Sequence, residues 1–122
     1  MEFHKKDAIY LQIADIICEK ILTRQWREGE KIPSVRDMAV SIEVNPNTVM
    51  RAYAHLQEKE IIFNKRGIGY FVADNAYRTT RTLMKSNFVK TDLPHVYATM
   101  ELLDMDLDEL ADLFKQYREK NS

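Results

Sequence analysis

The side chains best equipped for chemistry cluster in one short stretch, Asn45-Pro46-Asn47-Thr48-Val49-Met50-Arg51, with a second group at Lys65-Arg66-Gly67. Their types are those that recognise a partner, not those that react with one. An arginine can grip guanine O6 and N7 with two N–H donors, and an asparagine can read the adenine edge. A threonine hydroxyl beside the free N–H groups of a helix start suits a phosphate oxygen. No Ser-His-Asp arrangement and no glycine-rich phosphate loop accompanies them. His4, His55 and His95 are scattered, without the paired spacing that frames a metal ion. Asp104, Asp106, Asp108, Glu109 and Asp112 are dense enough to suggest calcium. Leu107 and Leu110 keep a helical period through that run, however, and the EF-hand glycine is missing, so helix capping explains the acids better. Catalysis, metal and cofactor therefore have no support.

The elements that position the cluster can be read from local signals. Ser34 is a helix cap with Asp37 three residues on, and Val35, Met38, Ala39 and Ile42 then form one core-facing stripe. A second start follows almost at once. Asn45 is a good cap, Pro46 sits where its missing N–H costs nothing, and Val44 and Val49 are spaced as a hydrophobic staple. Val49, Ala52, Tyr53 and Leu56 continue as an apolar stripe, which leaves Asn47, Met50, Arg51 and Ala54 on the opposite face, with Thr48 and His55 on its flank. Two short helices with only Glu43-Val44 between Ile42 and Asn45 must turn sharply, as in a helix-turn-helix. Ile61-Ile62-Phe63-Asn64 and Tyr70-Phe71-Val72 are β-prone, and the glycines at 67 and 69 free the backbone for a tight hairpin tip. A helix-turn-helix followed by a hairpin predicts a winged helix.

Upstream, two adjacent apolar lines predict a helix from Ala8 to about Arg24, covered on more than one side: Ile9, Ile13, Ile16 and Ile17, beside Leu11, Ala14, Cys18 and Leu22. Cys18, the single cysteine, thus reads as core, and one cysteine excludes a disulfide framework within the chain. Arg27-Glu28-Gly29-Glu30 reads as a turn and Lys31-Ile32 as a very short strand. Downstream, Asn75 is placed to cap a helix through about Val89, and Asp92 with Pro94 to open another. Asp106 caps a last helix, with Glu109 at its third position, Met105 stapled to Leu110, and Leu107, Leu110, Ala111, Phe114 and Tyr117 along one side. Such a tail is too small to bury much apolar surface by itself and needs a partner. The expected architecture is mainly α with a small β-hairpin wing: a winged helix-turn-helix over 7–75 and a short all-helical dimerisation tail over 76–122.

The net charge of −1 is no signature of a polyanion partner, but its distribution is uneven. Residues 1–75 hold 11 basic and 11 acidic side chains, residues 76–90 four basic and no acidic, and residues 91–122 three basic and eight acidic. A polyanion would have to read a local patch. The chain of 122 residues leaves no room for both a cofactor domain and a substrate domain. No apolar run approaches the ~20 residues of a bilayer span, so a soluble, cytoplasmic protein with no membrane partner is expected.

Three motifs, in order and with their spacing, resemble a known family. Ile9-Tyr10-Leu11-Gln12-Ile13 with Glu28-Gly29-Glu30-Lys31-Ile32-Pro33-Ser34-Val35-Arg36-Asp37-Met38-Ala39 looks like the start of a GntR-type winged-helix repressor domain. Val44-Asn45-Pro46-Asn47-Thr48-Val49-Met50-Arg51-Ala52-Tyr53 resembles the recognition helix of its YtrA-like branch, and Arg66-Gly67-Ile68-Gly69-Tyr70-Phe71-Val72 its wing. The tail resembles the branch's dimerisation domain more loosely. The resemblance implies a sequence-specific regulator, a repressor binding an inverted-repeat operator on double-stranded DNA as a homodimer through the tail. It makes Ser34 and Arg36 contacts to backbone or bases, beside Asn45, Asn47, Thr48 and Arg51 on the second helix. Lys65, Arg66 and Gly67 of the wing tip would meet phosphate or the minor groove. Lys31 is a weaker candidate, and Arg78, Arg81 and Lys85 either extend the phosphate footprint or pair with a partner's acidic tail. A protein-docking module, or a regulator gated by a small molecule near Tyr97, Phe114 and Tyr117, stands as the alternative. Glu60 and Asp104 stand where the family commonly has glycine, and Arg24-Gln25-Trp26 where it has small residues. At Glu60 that implies either a positive φ on a non-glycine residue or a different helix exit.

Overall fold

The computed structural model describes residues 8–122. Its elements run α1 (Ile9–Leu22), α2 (Val35–Ile42), α3 (Pro46–Glu58), β1 (Ile62–Lys65), β2 (Gly69–Val72), α4 (Ala76–Asn87), a π-helical turn (Phe88–Asp92), α5 (Leu93–Leu102) and α6 (Leu107–Lys120). Helices with one antiparallel hairpin after the second helix of a helix-turn-helix are the winged helix expected. The chain divides into two compact units, one ending at Leu83 and the other spanning Met84–Ser122. The division falls inside α4, whereas the sequence reading drew its boundary just before that helix.

In the first unit, α1 buries Ile13, Ala14, Ile17, Cys18 and Ile21, and α3 buries Val49, Ala52, Tyr53 and Leu56. Ile21 belongs to neither of the apolar lines read from the sequence, while Ile9, placed in one of them, is exposed. Met38 and Ala39 of α2, Ile32, Ile61, Ile62 and Val72 from the loops and hairpin, and Ala76 of α4 complete the core. The Ser34 hydroxyl accepts the Asp37 N–H at 3.1 Å and so starts α2. Asn45 Oδ1 accepts the Asn47 N–H at 2.8 Å and starts α3, with Pro46 as its first residue.

The hairpin pairs Ile62 with Val72, Phe63 with Phe71, Asn64 with Tyr70 and Lys65 with Gly69. Its tip closes through the Ile68 N–H to the Lys65 carbonyl at 2.9 Å, with Gly67 at φ 80°, where a side chain would be strained. The Lys31-Ile32 segment adds a third edge. Gly29 N–H donates to the Val72 carbonyl, Val72 N–H to the Glu30 carbonyl and Ile32 N–H to the Tyr70 carbonyl.

Four helices end on a left-handed residue that is not glycine: Arg24 (φ 64°) after α1, Glu43 (φ 56°) after α2, Glu60 (φ 62°) after α3 and Asp104 (φ 53°) after α5. The last three close as Schellman motifs. After α3, for instance, Glu60 N–H donates to the Gln57 carbonyl and Ile61 N–H to the Leu56 carbonyl. The family's helix exit is thus kept at Glu60, with the residue held at positive φ.

Asn75 stands at the start of α4 as expected, its carbonyl receiving the Thr79 N–H; it lies at φ 63°, and the Glu28 carboxylate accepts its N–H at 3.1 Å. One helix start differs from expectation. Asp92 is helical itself and makes no capping bond, because α4 runs through the π-turn into α5. There the Leu93 N–H reaches back five residues to the Phe88 carbonyl, just before Pro94, which has no N–H to continue a four-residue ladder. Asp106 caps α6 as expected, its Oδ1 accepting the Glu109 N–H at 2.9 Å. In the second unit no described side chain is buried, and Leu102, Leu103, Leu107, Phe114 and Tyr117 are all exposed. Among the described residues no helix is long and apolar enough to cross a membrane.

Candidate nucleic-acid interface

The two faces of α3 separate cleanly. Val49, Ala52 and Tyr53 are 0% exposed, whereas Asn47, Met50, Arg51 and Ala54 face outward, with Thr48 and His55 half-buried at the flank. The core face fixes the roll of the helix, so the polar face has one direction to point.

Tyr53 sets the pitch of α3 as well as its roll. Its hydroxyl donates to the Pro33 carbonyl at 2.6 Å, just ahead of the α2 cap, and its ring meets Tyr70 of β2 edge-on at 4.9 Å. One buried side chain thereby ties α3 to the entry of α2 and to the wing. Burial, with the nearby Tyr70 and Asp37 adding to it, holds the Tyr53 phenol protonated well beyond its usual range. Its role as donor is therefore constant across ordinary pH.

Ser34 and Arg36 are exposed at the start of α2, beside that anchor. Both Ser34 and Asn45 spend an oxygen on a cap, yet each keeps hydrogens that the cap leaves for a phosphate or base. At the wing, Lys65 Nζ lies 4.8 Å from the Phe71 ring centroid, over the stacked pair Phe63 and Phe71. Arg66 and Gly67 occupy the exposed tip. Two contacts had no signal in the sequence. Met50 Sδ receives the Tyr70 hydroxyl at 3.9 Å, and the Arg51 guanidinium lies 4.2 Å over the Tyr10 ring of α1. Each joins helices or strands whose pairing only the fold determines.

The family model for bacterial regulatory proteins of the gntR family matches residues 9–72, from the start of α1 to the end of β2. The chain belongs to the GntR family. It is 32% identical over 118 residues to the uncharacterized HTH-type transcriptional regulator YhcF of Bacillus subtilis, covering 97% of this chain and 96% of that protein. To the HTH-type transcriptional repressor YtrA of the same organism it is 34% identical over 108 residues, covering 88% and 82%. A solved GntR family transcriptional regulator from Listeria monocytogenes superposes with a TM-score of 0.77 at 32% identity, over 93% of this chain and 98% of that one. The chain is accordingly a DNA-binding transcriptional regulator of a family that is not enzymatic. Within this GntR regulator, the polar face of α3 and the basic tip of the wing are both exposed to solvent.

Proposed function

We propose that this regulator is a cytoplasmic repressor that binds an inverted-repeat operator as a homodimer. The observation that carries the reading is the outward row Asn47, Met50, Arg51 and Ala54 on a helix whose other face is wholly buried. Each subunit lays α3 in a major groove and its wing on the adjoining backbone. Arg51 reads a base edge, with Asn47 beside it; Thr48, Ser34 and Arg36 hold phosphates near the two helix starts, and Asn45 adds a contact where its cap allows. Lys65, Arg66 and the narrow Gly67 turn grip the backbone or the minor groove. Repression is the activity named for the relative YtrA.

The tail supports the dimer. Leu107, Leu110, Phe114 and Tyr117 recur at alternating three- and four-residue steps, the narrow seam that suits a second helix of the same kind. The two-fold symmetry of a dimer requires two half-sites about one helical turn, or a small multiple of it, apart.

The test is selection of the purified chain's DNA motif from a random library, with its mass measured in solution and its affinity followed against salt. A dimer selecting an inverted repeat, with binding that weakens steeply as salt rises, supports the reading. A folded chain that enriches no motif and binds without salt dependence sinks it in favour of a protein-docking module.

A further inference from the structure

Arg51 is the side chain on which base reading rests, and it does not stand alone in solvent. Its guanidinium carbon lies 4.2 Å from the centroid of the Tyr10 ring. That ring is half-buried and is met edge-on by His55, one turn further along α3, at 6.0 Å and 74°. Tyr10 is thus held between two side chains of α3 although it belongs to α1. An exposed arginine ordinarily samples many rotamers and loses that freedom when it grips a base. Stacking restricts the sampling before DNA arrives. It also leaves the right part of the group available, because a bidentate contact to guanine O6 and N7 uses the in-plane N–H edge and not the flat face.

We propose that Tyr10 is a positioning residue for DNA readout: its ring is the platform that pre-sets Arg51, so base preference at the position Arg51 reads depends on a side chain of another helix. The proposal rests on the reading of α3 as the base-reading helix. It predicts specificity from a residue that need not touch DNA, and it separates Tyr10 from the phosphate contacts that set overall affinity.

The experiment compares wild type, Arg51→Ala, Tyr10→Phe, Tyr10→Leu and Tyr10→Leu/Arg51→Ala on the selected operator and on operators changed at single positions, at several salt concentrations. Arg51→Ala should lower discrimination at one position by about tenfold or more. Tyr10→Leu should lower it at that same position by about two- to fivefold, with the salt slope and the other positions unchanged. Tyr10→Phe should match wild type, and Tyr10→Leu should add nothing once Arg51 is gone. If Arg51→Ala erases the preference while Tyr10→Leu keeps it, the platform is wrong and base reading stands. If Arg51→Ala changes nothing, base reading by this face is wrong. A direct readout in the free wild-type protein covers a Tyr10→Leu chain that does not fold. The Arg51 side-chain protons should show upfield ring-current shifts by nuclear magnetic resonance, and unshifted resonances overturn the platform.

Discussion

The Tyr53 hydroxyl and the Pro33 carbonyl meet at 2.6 Å across twenty residues of chain. This bond joins the middle of α3 to the residue preceding the α2 cap, and the same ring rests on Tyr70 of the wing. Helix α3, the helix before it and the hairpin are therefore tied together by one side chain that never reaches the surface.

Tyr53→Phe keeps the ring and removes only the donor. We expect a loss of about 0.5–1.5 kcal/mol in unfolding free energy, seen as a lower urea midpoint with unchanged slope. Tyr53→Ala, which empties the core at this point, should cost about 3–5 kcal/mol. A Tyr53→Phe chain as stable as wild type would show that the bond contributes nothing net.

Glu60 should be one of the few positions where glycine stabilises a helical protein. At φ 62° its Cβ crowds the backbone in a conformation that costs an L-residue roughly 1–2 kcal/mol. Glycine removes that strain and loses some of the benefit to its greater freedom in the unfolded chain. The expected net gain for Glu60→Gly is about 0.5–1 kcal/mol, read as a higher thermal midpoint, with Glu60→Ala giving no gain. A lower midpoint for the glycine variant would mean that the Glu60 side chain makes contacts outweighing its backbone strain.

What could be read from the chain and what could not divide along a physical line. Signals carried within a few residues were legible: the Asn45-Pro46 start of α3, its Val49-Ala52-Tyr53-Leu56 stripe, and the Gly67 turn each follow from local sterics and periodicity. The polar face of α3 followed from the same stripe by elimination. Features decided by distant packing were not. The Tyr10–Arg51 stack exists because α1 lies along α3; Ile21, by contrast, continues the four-residue spacing of Ile13 and Ile17, and the apolar lines simply omit it. The Asp92-Leu93-Pro94 stretch carries a helix start in its letters, but a proline can equally be met by a π-turn that keeps the helix running. The choice between the two is not local.

Cys18 should make stability fall at high pH. Burial, with Asp15 adding to it, pushes its thiol up to about 12. In the unfolded chain the thiol ionises in its usual range near 8.5, so above that pH the unfolded state binds fewer protons than the folded one. Its contribution is therefore fully present below the unfolded value and is lost as pH rises from there towards 12. The buried Tyr53 phenol acts in the same direction once pH passes the ordinary tyrosine range near 10. Unfolding free energy should decline above pH ~9 by up to about 1.4 kcal/mol per unit for the thiol alone. Urea unfolding of Cys18→Ala over this range should show a shallower decline, and equal slopes would show that the thiol titrates freely in the fold.

Arg66 and Arg51 should fail differently. Arg66 sits at the tip of the wing, where a phosphate contact carries no sequence information. Arg66→Ala is expected to weaken all DNA sequences alike and to reduce the salt slope by about 1. Arg51→Ala should instead cost about 1–3 kcal/mol on the selected operator and relax preference at one position. Fluorescence anisotropy on operator and scrambled DNA at several salt concentrations separates the two. An Arg66→Ala chain that lost preference at one base with its salt slope intact would move the wing from backbone grip to base reading.

In the tail, Phe114 is 59% exposed in the single chain. A charge placed there should therefore cost the isolated subunit little, since the side chain is not part of its core. In a dimer joined along Leu107, Leu110, Phe114 and Tyr117 the same charge would be taken from water and set against the apolar side chains of the seam. That penalty, about 1–3 kcal/mol or more on each of two symmetric copies, is enough to shift a modest dimer to monomers. Phe114→Asp should thus lower the mass in solution towards a single chain while leaving the thermal midpoint of a monomeric winged helix close to its own value. Affinity for a full inverted repeat should fall towards that for one half-site, because the gain from two linked readings is lost. A variant that keeps both the dimer mass and full-site affinity would place the dimer contact away from this face of α6.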